Sequence, residues 1–204
     1  MCNLYRMNRS SAEVAKLFGA SDMTAVTNRG EMVYPGYPGL VVAAGMVTQM
    51  SWGFPLSQIS KKTGEPLKPK PINNARTDKL DSFMWKFSFL ERRCLIPVSA
   101  FAEAEGEKGA MTRTWISLPG EELFACAGIW RDSPEWGPVY SMVMTDPCHS
   151  TAEMHDRMPV IVAPPDFPTW TTGDPEDARA LCAPWSGECA IDRTPEPWFQ
   201  RKTL

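Results

Sequence analysis

The stretch Cys94-Leu95-Ile96-Pro97 opens a series of five short apolar runs that decide the fold class. Turn-rich or acidic segments separate it from the runs at residues 114–118, 123–130, 139–145 and 159–162. Apolar runs of this length between turn signals predict β-strands. We therefore expect an α+β fold, in which short helices flank a mostly antiparallel, partly closed, barrel-like β-sheet.

Towards the N-terminus, the sequence predicts two helices and further strands. Ser10-Ser11-Ala12-Glu13 has the residues of a capping box, and Gly19 is placed to end the helix that follows. The apolar residues 40–54 predict one or two buried strands, and the basic residues 61–71, which have no periodicity, predict a loop. A second helix is predicted from Thr77, with a core face formed by Leu80, Phe83, Met84, Phe87 and Leu90.

Length and composition favour one domain over residues 1–204, with 43% hydrophobic residues to form its core. The motifs described below lie within residues 1–162, and the proline-rich residues 163–204 predict a peripheral wrap. No apolar run of about 18 residues is present, and the N-terminus lacks the apolar segment of a secretory signal. These features predict an intracellular protein without membrane contact. Six cysteines without a CxxC pair, together with two histidines, predict reduced thiols, no metal site and no cofactor.

The charge of the chain is unevenly distributed. The net charge is −3, but residues 1–93 contain 13 Lys and Arg against 7 Asp and Glu, whereas the remainder contains 8 against 17. Because salt screens the interaction between distant charges, a phosphate interacts mainly with nearby residues. This asymmetry therefore permits a local phosphate-binding face on an acidic protein. The alternative is a solvated surface that happens to be uneven.

Cys2 has the most distinctive chemistry in the chain. Its small side chain permits the removal of Met1, which would leave an α-amine beside a thiol. An α-amine has a reference pKa of about 7.7 to 8.0, so part of it is neutral at pH 7 and can attack an aldehyde. The thiol can then close a thiazolidine ring in an intramolecular step. The alternative is a cysteine that stands at position 2 by chance.

Three further segments carry polar side chains beside predicted strands or helices. Asn74 and Arg76 precede the predicted second helix, where an amide, a guanidinium and backbone N–H groups can hold a phosphate. Glu103 follows an apolar strand, where partial burial would raise its pKa toward use in proton transfer. His155 and Arg157 flank a carboxylate before another apolar strand. Taken singly, each segment also has a structural explanation: a helix cap, a strand-end ion pair or a loop histidine.

Together these segments resemble the SOS response-associated peptidase (SRAP) family, the abasic-site shielding proteins. The motifs follow the family's order from the first residues to about residue 162, and the proline-rich C-terminal part contributes little. The matching motifs are Met1-Cys2, Trp52-Gly53, Asn74-Ala75-Arg76, Arg93-Cys94-Leu95-Ile96-Pro97, Phe101-Ala102-Glu103, Ala127-Gly128-Ile129-Trp130, Thr145-Asp146 and His155-Asp156-Arg157-Met158-Pro159.

The resemblance implies a covalent mechanism centred on Cys2, which would be the nucleophile once Met1 has been removed by self-cleavage. Asn74 would orient the adduct by hydrogen bonding. Glu103 would transfer protons during the removal of Met1 and the imine chemistry. His155 would act on the sugar oxygen or on the imine and favour the ring-opened aldehyde.

The resemblance also implies contacts with DNA. Arg76 and Arg157 would contact phosphates, and Trp52 would stack on or wedge against a base. The implied partner is single-stranded DNA that contains abasic sites. The protein would be a monomer in a bacterial-type cytoplasm, associated with the nucleoid when bound to DNA.

The chain departs from the family pattern near the N-terminus and around the catalytic carboxylate. The family usually opens Met-Cys-Gly-Arg, whereas Asn3-Leu4 follow Cys2 here, so a basic DNA contact at position 4 is absent. Ala102 and Ala104 stand where aromatic residues are usual. These departures leave the covalent chemistry intact and bear on DNA affinity, strand preference and lesion geometry.

We therefore expect a DNA-damage protein, with autopeptidase and lyase-like activity, that shields abasic sites through a DNA-protein crosslink. One alternative is an N-terminal-nucleophile cysteine amidase or peptidase, in which Cys2 attacks a carbonyl and its own amine is the base. The other is a non-covalent reader of modified DNA that uses Arg76, Arg157 and Trp52 alone.

Overall fold

The computed structural model describes residues 2–24 and 31–199. The strands in these residues are β1 Tyr5–Arg6, β2 Ser21–Asp22, β3 Met32–Val33, β4 Pro38–Ala43, β5 Met46–Trp52, β6 Phe54–Ile59, β7 Pro66–Ile72, β8 Asn74–Arg76, β9 Arg93–Val98, β10 Ala100–Glu105, β11 Thr112–Ser117, β12 Phe124–Ser133, β13 Gly137–Thr145, β14 Met158–Pro159, β15 Ile161–Val162 and β16 Ala190–Pro197. The α-helices are α1 Ser11–Phe18, α2 Lys86–Glu91, α3 Phe167–Thr172 and α4 Pro175–Ala180, and 3-10 turns cover Thr77–Lys79 and Pro164–Asp166.

Five of these strands close into a barrel. The order β13–β12–β9–β4–β5 returns to β13, because β5 pairs with β13 as well as with β4. Four of the five pairings are antiparallel, and only the closing pair β5–β13 is parallel. This closure confirms the predicted α+β fold with a mostly antiparallel, barrel-like sheet.

A second antiparallel sheet holds β1, the strand that follows Cys2, between two neighbouring strands. Its strand order is β16-β11-β10-β1-β3. β1 is only two residues long, but it pairs on both sides, with Tyr5 opposite Phe101 of β10 and opposite Val33 of β3. The two pairings therefore hold the backbone at Tyr5, shortly after Cys2, from both sides.

The capping box of the first helix is confirmed. The Ser10 hydroxyl accepts a hydrogen bond from the backbone N–H of Glu13 at 3.2 Å, and the Glu13 carboxylate accepts one from the N–H of Ser10 at 2.8 Å. Gly19 ends the helix with φ = 60°, a left-handed conformation that glycine adopts without steric cost.

The prediction of a loop over residues 61–71 was wrong in its second half. β7 occupies Pro66–Ile72 and pairs with β6 in a separate two-stranded sheet. Proline lacks the backbone donor of an interior strand and is tolerated where one side of a strand is unpaired. The prolines that suggested a loop therefore occur in an edge strand.

The predicted second helix was also wrong in its extent and its buried face. Residues 77–79 form a 3-10 turn, and α2 begins only at Lys86. Phe83 is 92% exposed and Phe87 63% exposed, and Leu90 is also exposed, whereas Leu80 is buried. Because the helix does not run through residues 77–90, helical spacing does not place these side chains on one face.

Candidate active site

Cys2 lies beside Glu103 because of the pairing of the N-terminal segment with β10. The N–H of Ala102 donates to the carbonyl of Leu4 at 2.9 Å, which extends the β1–β10 pairing toward the N-terminus. The Cys2 side chain is fully buried, and its Sγ donates weakly to the Leu4 carbonyl at 3.5 Å. Burial, followed by the charge of Glu103, raises the pKa of the Cys2 thiol. The thiol is therefore held protonated, close to a carboxyl group.

Two adjacent amides hold the main chain of Cys2. Nδ2 of Asn73 donates to the Cys2 carbonyl at 2.9 Å, and Nδ2 of Asn74 donates to the same oxygen at 2.8 Å. Asn73 also reaches Oδ1 of Asn3 at 3.1 Å. The carbonyl oxygen has two lone pairs and so accepts both bonds. The structure thus brings the predicted Asn74 to Cys2 and adds Asn73, which the sequence analysis missed.

Glu103 is a buried carboxyl group whose environment suits proton transfer. Its side chain lies on β10 and is 4% exposed. Burial raises its pKa from an ordinary 4.5 to about 7, and the negative charge of Asp156 acts in the same direction. A carboxyl group with this pKa is divided between its acid and base forms at neutral pH, so it can both accept and donate a proton.

His155 follows β13 in a loop that turns back toward the sheet. Its Nδ1 lies 3.0 Å from the N–H of Arg157 and 2.8 Å from Oδ1 of Asp156. Nδ1 cannot accept from the first and donate to the second at once. Burial lowers the pKa of His155, which favours the neutral ring. Nδ1 then accepts the backbone N–H, and the neutral ring carries its proton on Nε2, from which it can donate a hydrogen bond.

Both predicted phosphate contacts lie at one end of β13. Arg76, the last residue of β8, stands opposite Met144, and Arg157 directly precedes Met158, which stands opposite Thr145. Arg76 donates to both carboxylate oxygens of Asp78, at 2.9 and 2.8 Å, and Arg157 pairs with Asp146. Both guanidinium groups are partly exposed. The structure therefore groups two cations at one edge, each beside a carboxylate.

Trp52 is not available as a stacking surface in this structure. It is fully buried, and its ring packs edge-on against Tyr5 with ring centroids 5.0 Å apart. Its Nε1 donates to the Asn73 carbonyl at 3.0 Å. In this structure Trp52 therefore packs in the core and supports the backbone of Asn73, whose amide holds Cys2. The expected contact of Trp52 with a base stays a prediction.

The departure at position 4 has a packing explanation. Leu4 is buried in a small apolar cluster with Ala100, Ala102 and Trp115. An arginine at this position would place a charge among apolar side chains, which is unfavourable without a partner.

Neither a metal site nor a membrane-spanning helix is found in the part of the chain that the structure describes. Within residues 2–24 and 31–199, no three His, Cys, Asp or Glu side chains are placed to hold a metal ion. No helix in these residues is long and apolar enough to cross a membrane. Met1, whose removal the sequence predicts, lies outside the described residues.

Comparison with curated proteins finds partial relatives. The abasic site processing protein YoqW of Bacillus subtilis (strain 168) is 28% identical over 124 residues, which are 56% of this chain and 55% of that protein. The abasic site processing protein YoaM of the same organism is 26% identical over the same shares of the two chains. The chain thus spans about half the length of the curated relatives it matches.

The fold and the family are matched over nearly the whole chain. A crystal structure of a protein from Bordetella bronchiseptica has a TM-score of 0.78 and 19% identity, and the match covers 95% of this chain and 99% of that one. At this identity the likeness shows the fold alone. The family model described as "SOS response associated peptidase (SRAP)" matches residues 1–194. The chain therefore belongs to the SRAP family.

Proposed function

We propose that the protein binds single-stranded DNA at abasic sites and captures the lesion as a thiazolidine on Cys2 after self-removal of Met1. The observation that carries this proposal is the placement of Cys2, whose carbonyl is held by Asn73 and Asn74 beside the buried Glu103. The partial relatives are named abasic site processing proteins, which supports the same substrate for this chain.

Removal of Met1 requires a proton on the leaving nitrogen of Cys2. Two amide donors fix the Cys2 residue, and therefore the position of its nitrogen. As a carboxylate, Glu103, with a pKa of about 7, can take a proton from a water molecule that attacks the Met1 carbonyl carbon, and it can then return the proton to the Cys2 nitrogen. The Met1–Cys2 peptide bond breaks, which releases methionine and leaves the free Cys2 amine.

Capture of the lesion then proceeds in two balanced steps. The freed amine attacks the C1′ aldehyde of the ring-opened sugar, and loss of water gives an imine. The Cys2 thiol adds to the imine carbon, forming the C–S bond, while the thiol proton passes to the nitrogen through Glu103. Because both nucleophiles belong to one residue, ring closure is intramolecular. The neutral ring of His155 can donate a hydrogen bond from Nε2 to the ring oxygen of the sugar and so stabilise the negative charge that develops on this oxygen as the ring opens to the aldehyde.

DNA would approach along the edge that carries Arg76 and Arg157. Each guanidinium lies beside a carboxylate at the surface, and exposed ion pairs of this kind contribute little to stability. A phosphate can replace Asp78 or Asp146 at modest cost, and its binding releases counterions from the DNA.

The N-terminal-nucleophile amidase is the less supported alternative. That reaction begins with attack by the thiolate, whereas the pKa of the buried Cys2 thiol is raised. Thiazolidine formation begins with the amine and needs no free thiolate at its first step.

The test is covalent capture of an abasic single-stranded oligonucleotide by two cysteine variants. Cys2→Ala removes the thiol of the site, and Cys126→Ala removes an equally buried thiol from the barrel. We expect Cys126→Ala to give a stable shifted band on a denaturing gel and Cys2→Ala to give none, with thermal melts confirming that both variants are folded. A stable band of undiminished yield with Cys2→Ala would refute the proposal.

A further inference from the structure

Cys148 and Cys189 are free cysteines whose sulfur atoms lie 3.9 Å apart. They are 41 residues apart in sequence. Cys148 follows β13 in the loop that carries His155, and Cys189 directly precedes β16. A disulfide needs a sulfur separation of about 2.05 Å, so small side-chain movements would bring the two atoms to bonding distance.

Cys148 is the most acidic of the six thiols. Its burial raises the pKa, but hydrogen bonds from Thr151 and Cys189 outweigh that effect, and the net pKa is lowered. Burial raises the pKa of the other five, Cys2, Cys94, Cys126, Cys182 and Cys189. Since the thiolate is the form that peroxides oxidise, the lowered pKa favours Cys148 as the first thiol to react, although its side chain is only 5% exposed.

We propose that Cys148 and Cys189 are a peroxide-sensitive pair, which oxidises to a disulfide that ties the His155 loop to the C-terminal strand. The Cys148 thiolate attacks hydrogen peroxide, giving a sulfenic acid and hydroxide. The Cys189 thiol then attacks the Cys148 sulfur, forming the S–S bond with loss of water. In sum, two thiols and one peroxide give one disulfide and two waters.

The loop between Cys148 and His155 is short and internally braced. The N–H of Thr151 donates to the Cys148 carbonyl at 3.1 Å, and the N–H of His155 donates to the Thr151 carbonyl at 3.2 Å. Anchoring Cys148 therefore also restrains the backbone of His155. The other residue of the disulfide, Cys189, directly precedes β16. β16 pairs with β11, and β11 pairs with β10, the strand that carries Glu103.

The pair would also spare Cys2 during oxidative exposure. The Cys2 thiol is fully buried and its pKa is raised, so it reacts slowly with peroxide. Oxidation would thus be confined to the loop while Cys2 stays reduced.

The test uses the full chain without DNA, so it stands or fails separately from the proposed function. After mild hydrogen peroxide we expect loss of two hydrogens in the intact mass, a Cys148–Cys189 peptide in the non-reduced map, and a melting temperature higher by roughly 5 to 10 °C. A thiol reductant should reverse all three. Cys189→Ser should instead accumulate a sulfenic acid on Cys148, trapped by dimedone, and Cys182→Ser is the matched control that should still form the disulfide.

Two results would overturn the inference. One is an unchanged intact mass under conditions that oxidise a reference dithiol peptide completely. The other is a map in which the first oxidised cysteine is Cys2, or any residue other than Cys148 and Cys189.

Discussion

At the scale of single residues, the free energy of unfolding should report the buried Glu103 directly. Its pKa in the folded protein, about 7, lies above the ordinary 4.5, so the folded state holds the proton more tightly than the unfolded state. The resulting stabilisation is fully present below about pH 4.5 and is lost as the pH rises through about 7. Relative to Glu103→Gln, the wild type should therefore lose on the order of 3 kcal/mol between these limits. Denaturant titrations at several pH values measure this, and a difference independent of pH would contradict it.

Glu103 and His155 should have separable kinetic effects. Glu103→Gln should leave Met1 on a measurable fraction of molecules, whereas His155→Ala should lose Met1 cleanly but crosslink more slowly. General acid-base catalysis is typically worth about 10²- to 10⁴-fold, which sets the expected size of the rate losses. Intact mass gives the processed fraction and single-turnover crosslinking gives the rate. His149→Ala, an exposed histidine of the same loop, is the control. Wild-type processing and rates in both folded variants would remove these residues from the mechanism.

The sequence predicted which residue types meet at Cys2, but not every contact. Cys2, Asn74 and Glu103 were predicted from their chemistry and from the family resemblance, and the structure brings them together. Asn73 was missed because the motif that carries the family resemblance, Asn74-Ala75-Arg76, begins one residue later. It lies just before β8, outside the regular strand, so both amides reach the Cys2 carbonyl. Trp52 is buried in this structure, and its motif alone does not show whether such an aromatic side chain stacks on a base or fills the core.

At the scale of elements, the barrel depends on close contact between β9 and β12. Gly128 stands opposite Cys94, and a methyl group added there would lie 2.8 Å from Cys94 Sγ and 2.9 Å from Ile96 Cδ1. Gly128→Ala should therefore destabilise the fold by about 1 to 3 kcal/mol through overpacking. At this chain length, that lowers the melting temperature by about 2 to 4 °C per kcal/mol.

The double variant makes this prediction specific. Cys94→Ala removes the sulfur that the new methyl group would strike, so Gly128→Ala should cost less in that background than in the wild type. Equal losses in the two backgrounds would show that the steric account is wrong.

The sequence predicted the helix whose boundaries depend on neighbouring residues, but it did not predict the strand whose formation depends on pairing with another segment. The capping box of α1 involves residues three apart, so its residue types identify it. The pairing of β7 with β6 joins Pro66–Ile72 to residues 54–59, and nothing in the proline-rich segment itself signals that partner. The exposure of Phe83 and Phe87 likewise depends on where α2 begins, which apolar spacing alone does not determine.

At the scale of the whole molecule, the uneven charge has a structural counterpart in the β6–β7 hairpin. The exposed lysines Lys61, Lys62, Lys68 and Lys70 lie in the β6–β7 hairpin or its turn. β7 ends at Ile72, directly before the amides that hold Cys2. If the proposed function holds, this basic hairpin would contact the DNA backbone, although the net charge of the protein is −3.

Arg76 should contribute to DNA binding in a salt-dependent manner. Arg76→Ala should reduce the slope of log K against log salt by about 0.7 for a single strand, because one phosphate contact is lost. Asp78→Asn should instead raise the affinity for DNA at low salt, because it removes the carboxylate that pairs with the Arg76 guanidinium. Binding to a non-reactive abasic analogue, followed by anisotropy at several salt concentrations, measures both. Arg179→Ala, which breaks another surface ion pair, is the control, and an unchanged slope in Arg76→Ala would assign that residue to folding.

The most direct test of the central claim is the intact mass of the covalent product with an abasic single-stranded oligonucleotide. Condensation of an aldehyde with an amine and a thiol releases one water in total. We predict a product whose mass equals the protein without Met1 plus the oligonucleotide minus one water, and whose fragment map places the DNA on Cys2. A product that retains Met1, or one attached to any other residue, would contradict the account.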